Sequence, residues 1–368
     1  MIKFLTSLCL LMVLVQPCSA LQVTELYNHQ VAVGDESDAE RRRAFGEALA
    51  AVVVKVTGER TWLQHPAIEQ ARNNAQSYVE AFSYASEIRV LVPASVADEP
   101  STAAGAVTSV EQRVITVSFA ARLIDQLLAD ANIPVWDSNR PSVLVWMALQ
   151  TEAGERSLLT ADSDPQIIEH MQRFAAERGL PIIFPLLDFE DRRNLTADSV
   201  WTLDQVAIVN ASQRYGADSV LVGRVYFAAS GEVVGLWQFI FQDEAEVFDA
   251  FDTDLQSYLY TSLDRITTKL ARYFAIVPGA SKQQLVRLRV DGIRNLTAYA
   301  SLMSYVSNLG LVESVAVAQM DGDRLELELG LVGDTQQLFE LLALDRDLLP
   351  IASSLADTPS MLHYRWTR

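Results

Sequence analysis

Apolar residues follow two different spacings along this chain, and the sharpest change between them lies next to Gly216. Tyr215-Gly216 has the composition of a helix end, because glycine readily adopts the left-handed conformation that closes helices. Val220, Leu221 and Val222 follow as a continuous apolar run, which predicts a strand covered on both faces. Strand and helix patterns alternate in both directions from this point and predict a multidomain α+β or α/β protein.

The first predicted unit spans residues 21–138 and has the order β-α-α-β-β-α. Ser37 and Glu40 form a capping box at the start of its first helix, and Gly58 supplies the stop. A segment rich in Ala, Ser, Thr and Pro, 93–109, predicts a hairpin loop between the later strands. The predicted elements are a strand at 26–33, a helix at 37–58, a helix from Pro66, strands at 82–92 and 112–119, and a helix at 121–131.

A stretch rich in proline and turn-forming polar residues, 132–141, separates this unit from a predicted middle domain at 139–278. Its pattern predicts an α/β fold with a mixed sheet, because continuous apolar strands alternate with amphipathic helices. The predicted elements are a strand at 142–149, a helix from Asp164-Pro165 to Gly179, a strand at 180–187, a helix from a Thr202/Gln205 capping box to Tyr215, strands at 219–227 and 233–241, and a helix at 252–274.

The last predicted domain spans residues 279–368 and has the order β-α-β-β-α-β, which is typical of the ferredoxin-like fold. Asp321-Gly322, between two alternating runs, predicts a tight hairpin. The predicted elements are a strand at 285–290, a helix at 296–309, strands at 315–320 and 324–329, a helix at 335–344 and a strand at 361–366.

The strand at 233–241 is apolar on both alternating faces and is a candidate contact for a partner protein. Three aromatic residues, Trp237, Phe239 and Phe241, lie on one face, and the other face is aliphatic. Helices of the same chain or a partner must therefore cover both sides. We expect the middle domain to carry this contact; the alternative is that the helix at 252–274 covers the strand alone.

The N-terminal segment has the three parts of a secretory signal peptide. Lys3 precedes a charge-free apolar run at 4–15, and small residues lead to a predicted cleavage after Ala20. Lipid attachment at Cys18 is the alternative, but small residues do not precede it. Both cysteines, Cys9 and Cys18, fall in this leader, so the mature chain is predicted to be free of disulfides. We expect the periplasm as location, and no transmembrane helix in the mature chain.

The charge balance argues against nucleic acid as a partner. The chain has 29 basic and 47 acidic residues and a net charge of −18, and phosphate binding needs clustered Lys and Arg. The one basic run, 41–43, lies among acids on a predicted helix. No nucleic-acid partner is therefore expected.

Known catalytic patterns are missing from the sequence. Four histidines lack the spacing of metal ligands, and the sequence contains no nucleophile elbow, Walker A motif or dinucleotide-binding glycine motif. We expect no cofactor. The four histidines are His29, His65, His170 and His363.

Asp188, Glu190 and Asp191 form the best candidate ligand loop, because they follow the predicted strand at 180–187, where open α/β folds bind ligands. Such carboxylates can hold a divalent cation or act as general acid and base. The alternative is a polar loop whose acids pair with Arg192 and Arg193. A second acidic run, 243–254, lacks the glycine and glutamate of a calcium loop, so helix capping is the expected role of Asp252 and Asp254.

Several segments together resemble an uncharacterised family of Gram-negative envelope proteins, the domain-of-unknown-function family numbered 2066. These segments are the helix at 44–58, the Asn139-Arg140-Pro141 junction through Trp146, and residues 181–191 and 214–225. The resemblance covers most of the chain after the leader, implies an envelope location and lends no catalytic residues. The middle domain is also similar in element order to periplasmic domains of curli-secretion and translocation-complex proteins, which implies architecture only.

These observations favour a non-catalytic binding or assembly module of the bacterial envelope, with an envelope protein as partner. The alternative is a periplasmic enzyme or divalent-cation-binding protein that uses the loop of Asp188, Glu190 and Asp191.

Overall fold

The computed structural model of the protein describes residues 23, 25–91, 108–151, 153–160, 163–242, 244–277, 284–333, 335–344, 347–351 and 361–367. Within these residues, 14 strands form three sheets, and ten α-helices pack on them. The predicted multidomain α+β architecture is confirmed. The predicted leader with both cysteines, and most of the loop predicted at 93–109, lie outside the described residues.

Three strands and three α-helices form the N-terminal unit in the predicted order: β1 (Asn28–Ala32), α1 (Asp38–Thr57), α2 (Pro66–Asn73), β2 (Val79–Leu91), β3 (Thr108–Phe119) and α3 (Ala121–Asp130). The sheet is antiparallel, in the order β1-β3-β2. Helix α1 begins and ends as predicted: the Ser37 side chain accepts from the Glu40 amide, and Gly58 closes the helix at φ 73°. The second half of the predicted capping box is wrong: the Gly34 amide donates to the Glu40 side chain at 3.2 Å, and the Ser37 amide donates to Asp35 instead.

The middle domain contains these elements: β4 (Val143–Gln150), β5 (Arg156–Leu158), α4 (Pro165–Arg178), β6 (Ile182–Ile183), α5 (Phe189–Asn194), α6 (Ala197–Trp201), α7 (Gln205–Ser212), β7 (Ser219–Phe227), β8 (Val233–Phe241), β9 (Glu244–Asp252) and α8 (Leu255–Phe274). The sheet order is β5-β4-β7-β8-β9, with β6 also beside β4. β4 is parallel to β6 and β7, and the other pairs are antiparallel, so the predicted mixed sheet is confirmed.

Three predictions about this domain are wrong in detail. The strand predicted at 180–187 shrinks to Ile182–Ile183, because Pro181 and Pro185 on either side have no amide hydrogen for a ladder. The predicted capping box also fails: Thr202 ends α6, and the Asp204 side chain caps α7 through the Ala207 amide. Finally, strand β9 occupies most of the acidic run at 243–254, for which the sequence predicts only helix capping.

The C-terminal domain has the predicted ferredoxin-like order, with one additional short strand, β13. Its elements are β10 (Gln284–Asp291), α9 (Leu296–Ser307), β11 (Val312–Asp321), β12 (Arg324–Leu331), α10 (Thr335–Ala343), β13 (Leu348–Pro350) and β14 (Met361–Trp366). The sheet order is β11-β12-β10-β14-β13, and only the β10–β14 pair is parallel.

Apolar packing continues between the middle and C-terminal domains. One core contains the face of β8 under α8 together with buried leucines of β12 and α10. The N-terminal unit has a core of its own, and a third core lies between the other face of the middle sheet, helices α6 and α7, and the residues that flank α5. The domain limits at residues 138 and 278 remain predictions. The core that α8 covers contains residues on both sides of position 278.

Arg140 lies buried at the junction of the three units, and within the described part of the chain its hydrogen bonds go to backbone oxygens. Its guanidinium donates to five carbonyl oxygens at 2.7–3.0 Å, those of Lys55, Trp136, Asp137, Arg178 and Gly179. Lys55 lies in the last turn of α1, and Arg178 and Gly179 end α4. The cation therefore satisfies carbonyl groups that two helix C-termini leave open, at the negative end of each helix dipole.

Hydrogen bonds of Arg178 and Asn139 connect this junction to helices of the middle and C-terminal domains. Arg178 donates to the Gly58 carbonyl oxygen at 2.6 Å and pairs with Asp264 of α8. Asn139 donates to the Leu341 carbonyl oxygen in α10, at 3.1 Å. The stretch predicted as a boundary is thus bonded to all three units, and we call residues 136–140 the junction segment.

We predict that Gly179→Ala destabilises the protein more than Gly154→Ala. Both glycines have a positive φ, so each substitution carries a left-handed cost of about 1 kcal/mol. A Cβ at Gly179 would lie 2.8 Å from Nη1 of Arg140, whereas nothing lies within 4 Å at Gly154. Displacing Arg140 weakens its hydrogen bonds, so urea denaturation should show a further loss of about 2 kcal/mol. Equal losses in the two variants would contradict this role of the junction.

Candidate functional site

The candidate ligand loop is held by one arginine that the sequence did not single out. Asp188 is the N-cap of α5, and its carboxylate accepts from the Asp191 amide at 3.0 Å. Arg214 donates to both oxygens of Asp188, at 2.8 and 2.9 Å. Hydrogen bonding from Arg214 lowers the pKa of Asp188 well below its usual range. This bidentate ion pair holds the start of α5 against the residues that directly follow α7.

Asp191 is buried beneath Asp188 and has a separate set of donors. The Leu187 amide donates to Oδ2 at 2.9 Å, and Arg214 donates to Oδ1 at 3.0 Å. The Tyr215 hydroxyl also donates to Oδ2, and burial followed by this bond raises the pKa of Tyr215 to about 12. Glu190 is exposed and lies 3.6 Å from Arg214. The structure therefore brings all three predicted acids around Arg214, and not around Arg192 and Arg193, the partners named in the alternative interpretation.

This arrangement occupies the carboxylate oxygens that a cation would need. Both oxygens of Asp188 and of Asp191 accept hydrogen bonds from protein donors, and a positive guanidinium lies between the two groups. A divalent cation at this point would have to displace Arg214. Among the residues that the structure describes, no group of three or more His, Cys, Asp or Glu residues can hold a metal ion. This geometry favours a structural role, in which Arg214 holds the loop of Asp188 and Asp191 in place.

The three aromatic residues of the candidate contact strand lie beneath α8. Trp237 and Phe239 are fully buried in the core, and Phe241 is half-buried. The Phe241 ring lies 5.2 Å from that of Tyr273 and 5.8 Å from that of Phe274, both on α8. These side chains are covered by the chain itself and do not provide a surface. A partner contact elsewhere on the middle domain stays a prediction.

The opposite face of the same strand is left uncovered near the edge of the sheet. In the register, Val234 lies opposite Phe251, and Gln238 lies opposite Val247. Ile240 shares this face and packs with α5 to α7, which end short of β9. Val234, Val247 and Phe251 are 42%, 52% and 77% exposed, and we call these three residues the sheet patch.

The second acidic run has local structural roles. Glu246 on β9 accepts from Arg265 at 2.6 Å and Lys269 at 2.7 Å, and these bonds lower its pKa. Asp254 caps α8 by accepting from the Ser257 amide at 2.8 Å, which confirms the capping role expected of it. The capping role expected of Asp252 is wrong, because Asp252 ends β9 and accepts from the Asp254 amide, which precedes α8.

A cleft of about 760 Å³ lies where the N-terminal unit and the C-terminal domain meet the junction segment. Its wall is largely apolar and includes Trp136, and its polar groups include Tyr27 and Asp125. The Tyr27 hydroxyl donates to the Asp125 carboxylate at 2.7 Å. Burial is the main cause of a raised pKa in both residues. Sequence reasoning missed this pair because 98 positions separate its members.

A more polar cleft of about 990 Å³ lies between β1, α1 and α4. It contains His29, Lys55 and Glu177. Burial, and then the charge of Lys55, lowers the pKa of His29 to about 4. Burial also lowers the pKa of Lys55 and raises that of Glu177. Perturbed groups in a cleft are a feature of many active sites, but in the described part of the chain no hydrogen bond joins these three side chains to one another.

The remaining histidines lie apart from one another. His65 caps α2 by accepting from the Ala67 amide at 3.3 Å, and His363 lies 3.0 Å from Asp291. His170 is half-buried on α4. No helix in the described residues combines the length and the apolar character needed to cross a membrane.

We predict that Arg214→Gln lowers the melting temperature near pH 7 and that this difference shrinks in acid. The folded-state pKa of Asp188 lies below its unfolded value of about 3.9, so its pairing contributes stability above that value. That contribution is lost as the pH falls below about 4 toward the depressed pKa. Melting curves from pH 7 to about pH 3 measure the effect. Arg156→Gln, which removes a surface pair with Asp198, is the matched control.

If the difference in melting temperature between the native protein and Arg214→Gln stayed constant over this pH range, the structural role of the Asp188–Arg214 pair would be contradicted. The same conclusion would follow if Arg156→Gln gave an equal, equally pH-dependent loss.

Comparisons with known proteins give a family match for the first third of the chain. Residues 20–137 are similar to the family described as Domain of unknown function (DUF8605), so an uncharacterised family is found, as expected. No curated protein sequence matches the chain. Among solved structures, the N-terminal domain of Protein Y from Thermus thermophilus has a TM-score of 0.18 and 11% identity over 36% of this chain and 94% of its own. An uncharacterized protein has a TM-score of 0.17 and 11% identity over 36% of this chain and 98% of its own. These TM-scores are too low to inform the fold or function.

Proposed function

We propose that this protein is a non-catalytic binding or assembly module of the bacterial envelope that acts in the periplasm. The leader at residues 1–20 supports export, and the resemblance to the Gram-negative envelope family numbered 2066 supports the location. The observation that carries the binding role is the sheet patch. An envelope protein is the proposed partner.

The sheet patch has the features of a contact surface for a protein. Val234 lies directly opposite Phe251 on the adjacent strand, so their apolar areas adjoin, and Val247 lies on the same face beyond Asp249. Exposed apolar groups that adjoin one another are typical of interaction sites, whereas single exposed residues are common everywhere. Asp249 shares this face of β9 with the patch, whereas Glu244, Glu246 and Asp252 lie on the opposite face of the strand.

The position of the patch explains why the middle domain is the proposed contact. Helix α8 covers one face of β8, and α5 to α7 cover the other face only over β4, β7 and the end of β8. A partner that packs on Val234 and Phe251 would complete the burial of the sheet. This places the contact on the face opposite Trp237 and Phe239.

An enzyme or divalent-cation-binding protein that uses Asp188, Glu190 and Asp191 is the second candidate. Its support is weaker, because Arg214, Tyr215 and backbone amides occupy the oxygens of the two aspartates. The net charge of −18 favours a partner other than nucleic acid.

We predict that a photocrosslinking amino acid placed at Phe251 of the full chain captures an envelope protein in intact cells. The same amino acid placed at Leu296, an exposed apolar residue of the C-terminal domain, is the matched control. A discrete adduct from position 251 alone, recovered in the periplasmic extract, is the expected result. Phe251→Ser should not change the melting temperature by more than about 2 °C, because the side chain is exposed.

No adduct at position 251, or the same adduct at both positions, would contradict the sheet patch as the contact. Recovery of the protein only from the cytoplasm would contradict the proposed location.

A further inference from the structure

The cleft of about 760 Å³ at the junction segment has walls from two parts of the molecule. Helix α3 contributes to one wall, and Asn308 and Val332 of the C-terminal domain contribute to the other. Trp136 and Ile276 also line the cleft. Clefts of this size with a largely apolar lining are typical of small-molecule sites. A ligand in this cleft would contact the N-terminal unit and the C-terminal domain at the same time.

One side of α3 provides charged groups to the cleft. Arg122, Asp125, Gln126 and Ala129 line it, and their spacing of three and four residues places them on one face of the helix. In the described part of the chain, neither Arg122 nor Asp125 forms an ion pair. The Asp125 carboxylate accepts one hydrogen bond, from the Tyr27 hydroxyl to Oδ1 at 2.7 Å. The lining therefore offers one cation and one carboxylate oxygen that can each take a group of a ligand.

The other two acids of the lining already have partners. The Gly310 amide donates to Oδ2 of Asp137 at 2.6 Å, and the Ser138 hydroxyl donates to Oδ1 at 3.1 Å. Glu313 also has a partner. Burial is the main cause of the raised pKa of Asp125, and the charge of Asp137 adds to it. A cationic group of a ligand would stabilise the half-buried Asp125 carboxylate.

Trp136 adds a hydrogen-bond donor. It is fully buried, and its indole nitrogen Nε1 has no hydrogen-bond partner among the described residues. A Cβ at Gly58 would lie 2.8 Å from Cε3 of this ring, so that edge of the indole faces the end of α1. Nε1 lies on the opposite edge. An unpaired buried N–H group is costly, and an oxygen atom of a ligand in the cleft would satisfy it.

We propose that this cleft binds a small zwitterion with an apolar body, the chemistry of a free apolar amino acid. Its ammonium group pairs with Asp125, and its carboxylate pairs with Arg122 and accepts from Nε1 of Trp136. Its apolar part lies against the wall that Leu26 and Val135 help to form. The cleft shares no residue with the sheet patch, so a small ligand here and a protein partner there can be tested separately.

The first test uses the native full chain and three probes with the same apolar body. L-phenylalanine has both charges, 2-phenylethylamine lacks the carboxylate, and 3-phenylpropanoate lacks the ammonium group. Isothermal titration calorimetry should show saturable binding of L-phenylalanine at one site. Each of the other two probes should bind at least about tenfold more weakly, because one ion pair is lost.

The second test assigns the two charges to residues. Asp125→Asn and Arg122→Gln should each weaken L-phenylalanine binding at least about tenfold. In Asp125→Asn, 3-phenylpropanoate should bind within about twofold of L-phenylalanine, because the ammonium group then has no carboxylate partner. A merely structural loss would not remove this selectivity.

Three further variants complete the set. Ala129→Phe keeps both charges but fills the cleft, and it should also abolish binding. Glu69→Gln and Arg72→Gln, at exposed positions on α2, are the matched controls and should change binding less than about twofold. Melting curves show whether each variant is folded.

Four results would overturn the proposal. They are no saturable binding of L-phenylalanine up to about 10 mM, a corresponding affinity for either singly charged probe, an equal loss in the α2 controls, and unchanged binding in the folded cleft variants.

Discussion

The guanidinium of Arg140 is the contact on which the arrangement of the molecule depends. It is a buried cation whose partners are five backbone carbonyl oxygens and the ring of Trp136, 4.2 Å away. A lone carbonyl group is a weak partner for a charge, but several of them at two helix C-termini together provide a negative potential. Burial lowers the pKa of Arg140, and this concentration of carbonyl groups offsets part of that cost.

Three consequences for function follow from this junction. The N-terminal unit, which matches an uncharacterised family, is bonded directly to the middle domain. The middle domain shares an apolar core with the C-terminal domain, so the three parts present their surfaces in a fixed relation. The proposed contact at the sheet patch therefore lies on a domain that is joined to both of the other parts.

The sequence predicts the elements whose signals are local. Helix α1 follows from Ser37 and Gly58, and the ferredoxin-like order follows from the alternation around Asp321-Gly322. The strand predicted at 180–187 fails because a continuous apolar run does not reveal that Pro181 and Pro185 interrupt the ladder. Strand β9 was missed because its acids fall on both faces, which removes the alternation that identifies a strand.

The sites depend on contacts between distant positions, and sequence patterns do not contain these. Asp188 and Asp191 were identified as a cluster, but their partner Arg214 lies more than 20 residues away, beyond two helices. Tyr27 directly precedes β1 and Asp125 lies on α3 just after β3, so these two residues meet because β1 pairs with β3. The aromatic face of β8 was recognised as one that must be covered, and the structure identifies α8 as the element that covers it.

The central claim is that Arg140 joins the three parts into one cooperative unit, and calorimetry of Arg140→Lys tests it most directly. A lysine keeps the charge but has three donors in place of the five that the carbonyl groups use. The account predicts a single unfolding transition for the native chain and for Arg122→Lys, an exposed control on α3. It predicts that Arg140→Lys unfolds in two separate transitions, the first at a lower temperature. One transition at an unchanged temperature in Arg140→Lys would contradict the account.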